Sequence, residues 1–185
     1  VYSDGAEVTG NAQVFGSALI TANARVSGDA WVSGEVSGNA QVSGNALVSG
    51  DARVDGNAQV DGHAWVSGNA RVSGDAKISD NAKVTDNAKV YGNAKVSGDA
   101  LVSGDAQVYG NALVCGKARV YGNAQVYGYA KVYGNAQVYD KARVYGDTQV
   151  YGKARVYGKV KIYGKKHYEA YVKFVETLKN MEKTE

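Results

Sequence analysis

The sequence predicts an all-β solenoid followed by one terminal α-helix, and three observations predict it. Val or Ile recurs at every sixth position over most of the chain. An Ala stands two residues before nearly all of them, and a Gly two residues after. The period then stops at Gly164, where apolar residues change to helical spacing. Composition agrees: the 185 residues include 24 Gly, no Pro, 14 Tyr and only 2 Phe. Leu, Ile and Met are scarce, so the core has to be narrow and built from small side chains. No apolar run approaches the ~20 residues of a membrane-spanning helix, and no membrane partner is expected. The chain opens on Val1 with no Met and no signal-like stretch, as a trimmed chain would.

The first element is the hexad itself. Val or Ile falls at 8, 14, 20, 26 and 32, then without a break from Val36 to Ile162, which makes 27 hexads. In Ser43-Gly44-Asn45-Ala46-Leu47-Val48 the Ala and Val are two apart, with one residue between them. That alternation turns Ala and Val to one side of a short strand and the intervening residue to the other. The following Ser or Tyr also points outward, and Gly with Asn or Asp then makes a corner. A helix is excluded, because a Gly at every sixth position costs about 1 kcal/mol each relative to Ala. One hexad buries too little to fold alone, so coils must stack and pile their Ala and Val into columns. The short step Val32-Ser33-Gly34-Glu35-Val36 lacks two residues, expected to be the Asn/Asp corner residue and the inward Ala. Losing a pair keeps the in/out parity, so the core should survive with one corner cut.

These hexads resemble the hexapeptide repeat of left-handed parallel β-helices. The Gly-Asn-Ala-x-Val wording is most similar to the β-solenoid repeats of uncharacterised bacterial proteins labelled as acyltransferases. The resemblance spans Val8 to Gly164. It implies a single-stranded left-handed parallel β-helix, a triangular solenoid of 18 residues per coil and about nine coils, with a C-terminal capping α-helix. Residues 1–164 form the hexapeptide-repeat β-solenoid on this reading, and residues 165–185 the amphipathic capping helix. In that helix Tyr168, Tyr171, Val172, Val175 and Leu178 make the apolar stripe. Its expected task is to cover an open end of unpaired backbone, which otherwise invites stacking of further strands.

Residues 18 apart should form outward ladders. One face carries Tyr91, Tyr109, Tyr127, Tyr145 and Tyr163; a second carries Cys115, Tyr133 and Tyr151; the third carries Tyr121, Tyr139 and Tyr157. Cross-strand stabilisation is the preferred reading, ahead of an aromatic surface for sugar or protein. Trp31, Leu47, Trp65 and Leu101 fall on one face and make a candidate interface for self-association or a protein partner. Charge is uneven: residues 1–90 carry net −4 and residues 91–185 carry net +7. Lys and Arg interleaved with Tyr could serve nucleic acid or an anionic glycan. A solvated basic surface is preferred, because the positive charges are spread over all three faces.

Enzymes of the hexapeptide superfamily resembling this fold use a His general base. Here His63 stands at a corner beside Asp61 and Trp65, and His167 begins the terminal helix. His63 with Asp61 is the catalytic candidate, between subunits of a trimer, and no loop interrupts the hexads to enclose a substrate. No phosphate loop, Cys-x-x-Cys pair or other metal or cofactor motif appears, so no metal and no cofactor are expected. The preferred function is a rigid structural or interaction scaffold without catalytic activity of its own. An acyltransferase of the hexapeptide superfamily is the alternative.

Overall fold

The computed structural model describes residues 5–181, with side chains through Thr177. The hexads become 27 strands, β1 (Glu7–Val8) to β27 (Lys161–Tyr163), nearly all two residues long. They lie in three parallel nine-stranded sheets, each taking every third strand. The result is a parallel β-solenoid of nine coils with a triangular section. Coil spacing is the ordinary strand separation of about 4.8 Å, which makes a rod roughly 40–45 Å long. The helix α1 (Gly164–Met181) follows directly.

Small inward side chains and a backbone turn make this shape possible. From Ala24 to Val144 every Ala and Val or Ile of the repeat is buried to within 1% exposure, apart from the cut corner. Each corner is a tight turn: the Ala46 N–H donates to Ser43 O at 3.4 Å across Gly44, whose φ is +68°. Positive φ at the first central residue is the mark of type II′ turns, which only Gly enters without strain. At Gly38 a Cβ would also lie 2.9 Å from Gly56 O in the next coil, so the stack itself leaves no room for one.

Asp80, Asp86 and Asp140 take the Gly position with φ near +60°. Each carboxylate accepts the next coil's Gly N–H: Gly98 at 2.8 Å, Gly104 at 2.9 Å and Gly158 at 3.0 Å. That charge-assisted bond offsets the strain of a side chain in the left-handed region. The residue after Gly adds side-chain ladders, such as Asn39 Nδ2 to Asn57 Oδ1 at 3.1 Å and Asn57 Nδ2 to Asp75 Oδ1 at 3.0 Å.

The cut corner joins β5 (Trp31–Val32) to β6 (Glu35–Val36), and one expectation about it needs correcting. The inward position is not lost, because Gly34 fills it. Gly34 O accepts the Leu19 N–H at 3.3 Å, as Ala40 O accepts Arg25 N–H at 2.9 Å in a regular coil. The two missing residues are therefore the left-handed Gly and the Asx after it. The corner is drawn inward by their loss: a Cβ on Gly34 would stand 2.6 Å from Ala52 O and 3.2 Å from Val48 Cγ1. β6 still pairs in register with β3 (Leu19–Ile20), now 16 residues apart.

At the other end α1 packs against β25 (Gln149–Val150) and β27. Its first turn is tied down by Thr148, a buried hydroxyl standing where the repeat has Ala. The Gly164 N–H donates to Thr148 Oγ1 at 2.6 Å, and that hydroxyl donates to Tyr145 O at 2.7 Å. Gly34→Ala should destabilise the solenoid by about 1–3 kcal/mol, as overpacking against fixed backbone does. Chemical denaturation checks this, and an unchanged midpoint would show that the cut corner has slack.

Candidate functional site

Outward positions carry whatever this protein presents, and the repeat sets their geometry. The outward strand residues form one column per face, and the residues after Val form another beside it. Three Tyr columns result. On the first, Tyr91, Tyr109, Tyr127 and Tyr145 stack at centroid distances of 4.9, 4.8 and 4.9 Å with planes within 3°. Tyr145 and Tyr163 follow at 5.3 Å, tilted by 38°. On the others Tyr121, Tyr139 and Tyr157 stack at 4.9 and 5.3 Å, and Tyr133 and Tyr151 at 5.6 Å. Inside a column each ring face is covered by its neighbours, so only edges and hydroxyls meet solvent. The strand spacing is thus also a stacking distance.

The hydroxyls lean toward the outward strand residue of the next coil, 16 positions on. Tyr91 Oη donates to Gln107 Oε1 at 3.4 Å, Tyr121 to Gln137 at 3.3 Å and Tyr133 to Gln149 at 3.2 Å. This diagonal contact escapes a reading that stacks residues only at 18. Burial within the columns is the main cause that raises the Tyr109, Tyr127 and Tyr139 phenols above their ordinary value. Cys115 heads the second column, half-buried, and burial pushes its thiol up as well, away from the reactive thiolate.

The second sheet carries the apolar face. Trp31, Leu47 and Trp65 sit opposite one another in successive coils. Lys83 then separates Trp65 from Leu101, with its Nζ 5.2 Å from the Trp65 ring centroid. Trp31 is 50% exposed and Trp65 41%. Phe15, absent from the sequence-based set, extends this face: it is 46% exposed and meets Trp31 edge-on at 6.1 Å. Its signal was the same offset of 16. Beneath the Phe15-Gly16-Ser17 corner lies the cut corner, and a Cβ on Gly16 would touch nothing within 4 Å.

His63 and Asp61 are exposed corner residues, and the backbone N–H of His63 donates to Asp80 O at 2.7 Å. His167 stands on α1 with its ring edge-on to Tyr163 at 6.4 Å. Of the helix stripe, Tyr168 is buried and Tyr171, Val172 and Val175 are half-buried; the Leu178 side chain lies outside the described residues. Tyr171 Oη accepts the Tyr157 N–H at 3.3 Å, and the Tyr168 ring tilts over Tyr151 at 6.1 Å. Between the helix and β26 (Arg155–Val156) runs an open cleft of about 1080 Å³, lined by Lys153, Arg155, Tyr157, Tyr171 and Val172 among others.

Two family models match parts of the chain. The bactofilin model, described as polymer-forming cytoskeletal, matches residues 12–98. The YdcK beta-solenoid repeat matches residues 106–119 and 136–152. Among solved structures, the UDP-N-acetylglucosamine acyltransferase of Francisella novicida is similar at 14% identity with a TM-score of 0.42. That match covers 78% of this chain, which spans 62% of the acyltransferase chain. No curated protein matches the sequence. The repeat, the three sheets and the two family models fit a hexapeptide-repeat-like left-handed β-helix.

The phenol shifts set a pH window. Neutral rings are favoured in the folded state, so the unfolded chain releases these protons first, at the ordinary 10.0. The columns' contribution is complete below that pH and is lost as pH rises through the higher folded values. Stability should therefore fall as pH rises above about 10, with phenolate absorbance lagging free tyrosine. Constant stability over that range, with ordinary phenol titration, would contradict the packing of the columns.

Proposed function

We propose that this chain is a rigid scaffold that self-associates through the apolar second face. The row from exposed Phe15 and Trp31 through half-buried Leu47 to exposed Trp65 carries the reading. Soluble surfaces scatter large apolar residues, and a contiguous row of them on one straight face is the form an interface takes. The bactofilin match supports it, since residues 12–98 contain the whole row and that family is described as polymer-forming. The rod's geometry supports it too. Side chains on three flat faces keep a fixed spacing along the axis, which suits a spacer or a surface that presents partners in register.

In this reading α1 is a cap. It lies across the last coil, Thr148 fastens its start, and Tyr171 takes up a backbone donor that elsewhere bonds to the next coil. Sedimentation velocity on the full chain tests the face. Replacing Trp31 and Trp65 together by Ser should give a smaller species without unfolding. An unchanged sedimentation coefficient, with water-exposed indole emission from the parent protein, would refute the interface. Truncation after Gly164 tests the cap: light scattering should show a folded solenoid that associates end to end. A monodisperse product would assign the helix another role.

A further inference from the structure

The charged side chains follow a rule that the sequence hides. On the three sheets the outward strand positions hold cations, Gln or apolar residues, and the carboxylates Glu7 and Glu35 are paired there with Arg25 at 3.2 Å and Arg53 at 3.3 Å. The other acids of the solenoid stand at or beside corners. In the last two coils the corner between the second and third sheets changes character. Its Asx position becomes Lys141 and then Lys159, where the preceding coil has Asn123. The adjoining third-sheet position becomes Arg143 and then Lys161, where the preceding coil has Gln125.

Arg143 and Lys161 are directly opposed in register. Lys141 lies over the Lys159 corner, its N–H bonded to Gly158 O at 3.1 Å. Arg155 flanks this ridge on the second sheet. All five cations are exposed, and among the described residues the ion pairs involve none of them. The carboxylate within the ridge, Asp140, is already bonded to Gly158 N–H at 3.0 Å. Like charges opposed across strands are destabilising, and a ridge of them calls for an external counter-charge. Cations are opposed in register elsewhere too, as Arg71 with Lys89 and Lys77 with Lys95, and this edge is set apart by carrying them at both corner and strand positions in two successive coils.

We propose that this ridge binds a single-stranded nucleic acid along the rod axis. Two columns of cations repeat at the coil spacing of about 4.8 Å, short enough for successive phosphates to find a partner. The ridge is convex and presents charge on two sheets, which suits a flexible strand that can fold over an edge; a planar membrane would meet only the crest. Aromatic rings stand beside the cations. Tyr157 and Tyr163 end their columns, 40% and 57% exposed, and can stack bases as the covered rings within the columns cannot. This reading is independent of the scaffold proposal, since it uses the opposite end of the chain from Trp31.

The test is fluorescence anisotropy of the full chain with a labelled mixed-sequence oligonucleotide over a salt series. The variant carries Lys141→Asn, Arg143→Gln, Lys159→Asn and Lys161→Gln, residues the repeat itself uses at those positions. Its melting curve reports that the fold is kept. Wild-type protein should bind, and the variant should bind at least about 10-fold more weakly, with a salt slope shallower by about 3. A second variant, with Lys77, Lys83, Lys89 and Lys95 each replaced by Gln, should keep most of the binding. The proposal is overturned if wild-type protein does not bind, or if both variants lose binding equally. It is also overturned if the ridge variant loses only its attachment to phosphatidylserine-containing vesicles while oligonucleotide binding persists.

Discussion

The structure depends on one constraint: after three sides of six residues each coil must return the backbone to the same direction, one strand spacing higher. A left-handed residue at the corners, Gly at most of them, meets it, and the inward Ala lets three sides close around a narrow core. Once that holds, the coil-to-coil hydrogen bonds come into register everywhere. Gln107 N–H to Ala124 O at 2.9 Å, Tyr109 N–H to Val126 O at 3.0 Å and Asn111 N–H to Gly128 O at 2.8 Å repeat with little change along the rod. Strand and corner alike are bonded to the next coil, so a surface turn here is as well held as a strand.

The same regularity turns local choices into long-range features. A Tyr placed once per coil becomes a stacked column because the strand spacing equals an aromatic contact distance. An Asn after each Gly becomes an amide ladder, and a Lys there becomes a row of charge. The molecule differentiates along its length by this means alone: apolar face and Asx corners toward one end, Tyr columns and a basic ridge toward the other. Departures from the repeat mark the places where something else is fitted. Gly34 closes a shortened corner, Asp80, Asp86 and Asp140 exchange conformational ease for a carboxylate bond, and Thr148 holds the terminal helix.

Most of the fold was legible because a period of six with alternating burial admits few structures, and the inward Ala and Val columns read directly as buried. The Tyr columns and the Trp31–Leu47–Trp65 row were legible for the same reason. Other features were not. The identity of the residues lost at Val32–Val36 could not be read, because Gly34 looks like a corner Gly and serves as an inward residue. Phe15 and the Tyr–Gln contacts depend on a diagonal offset of 16 that a column reading passes over. The hydroxyl of Tyr171 was read as part of an apolar stripe, although it also takes a backbone donor. The basic ridge was invisible in a charge count by halves, since it needs the three faces to be separated.

Native-state amide hydrogen exchange tests the central claim, that the solenoid is one body held by coil-to-coil bonds. Corner amides such as Asn111 and Asn123, which in an ordinary surface turn exchange quickly, should be protected as strongly as the neighbouring strand amides Gln107 and Gln125. They should open only together, with protection falling toward the first coil. Fast exchange at the corners beside slow exchange in the strands would contradict the account, and would describe three sheets joined by loose turns.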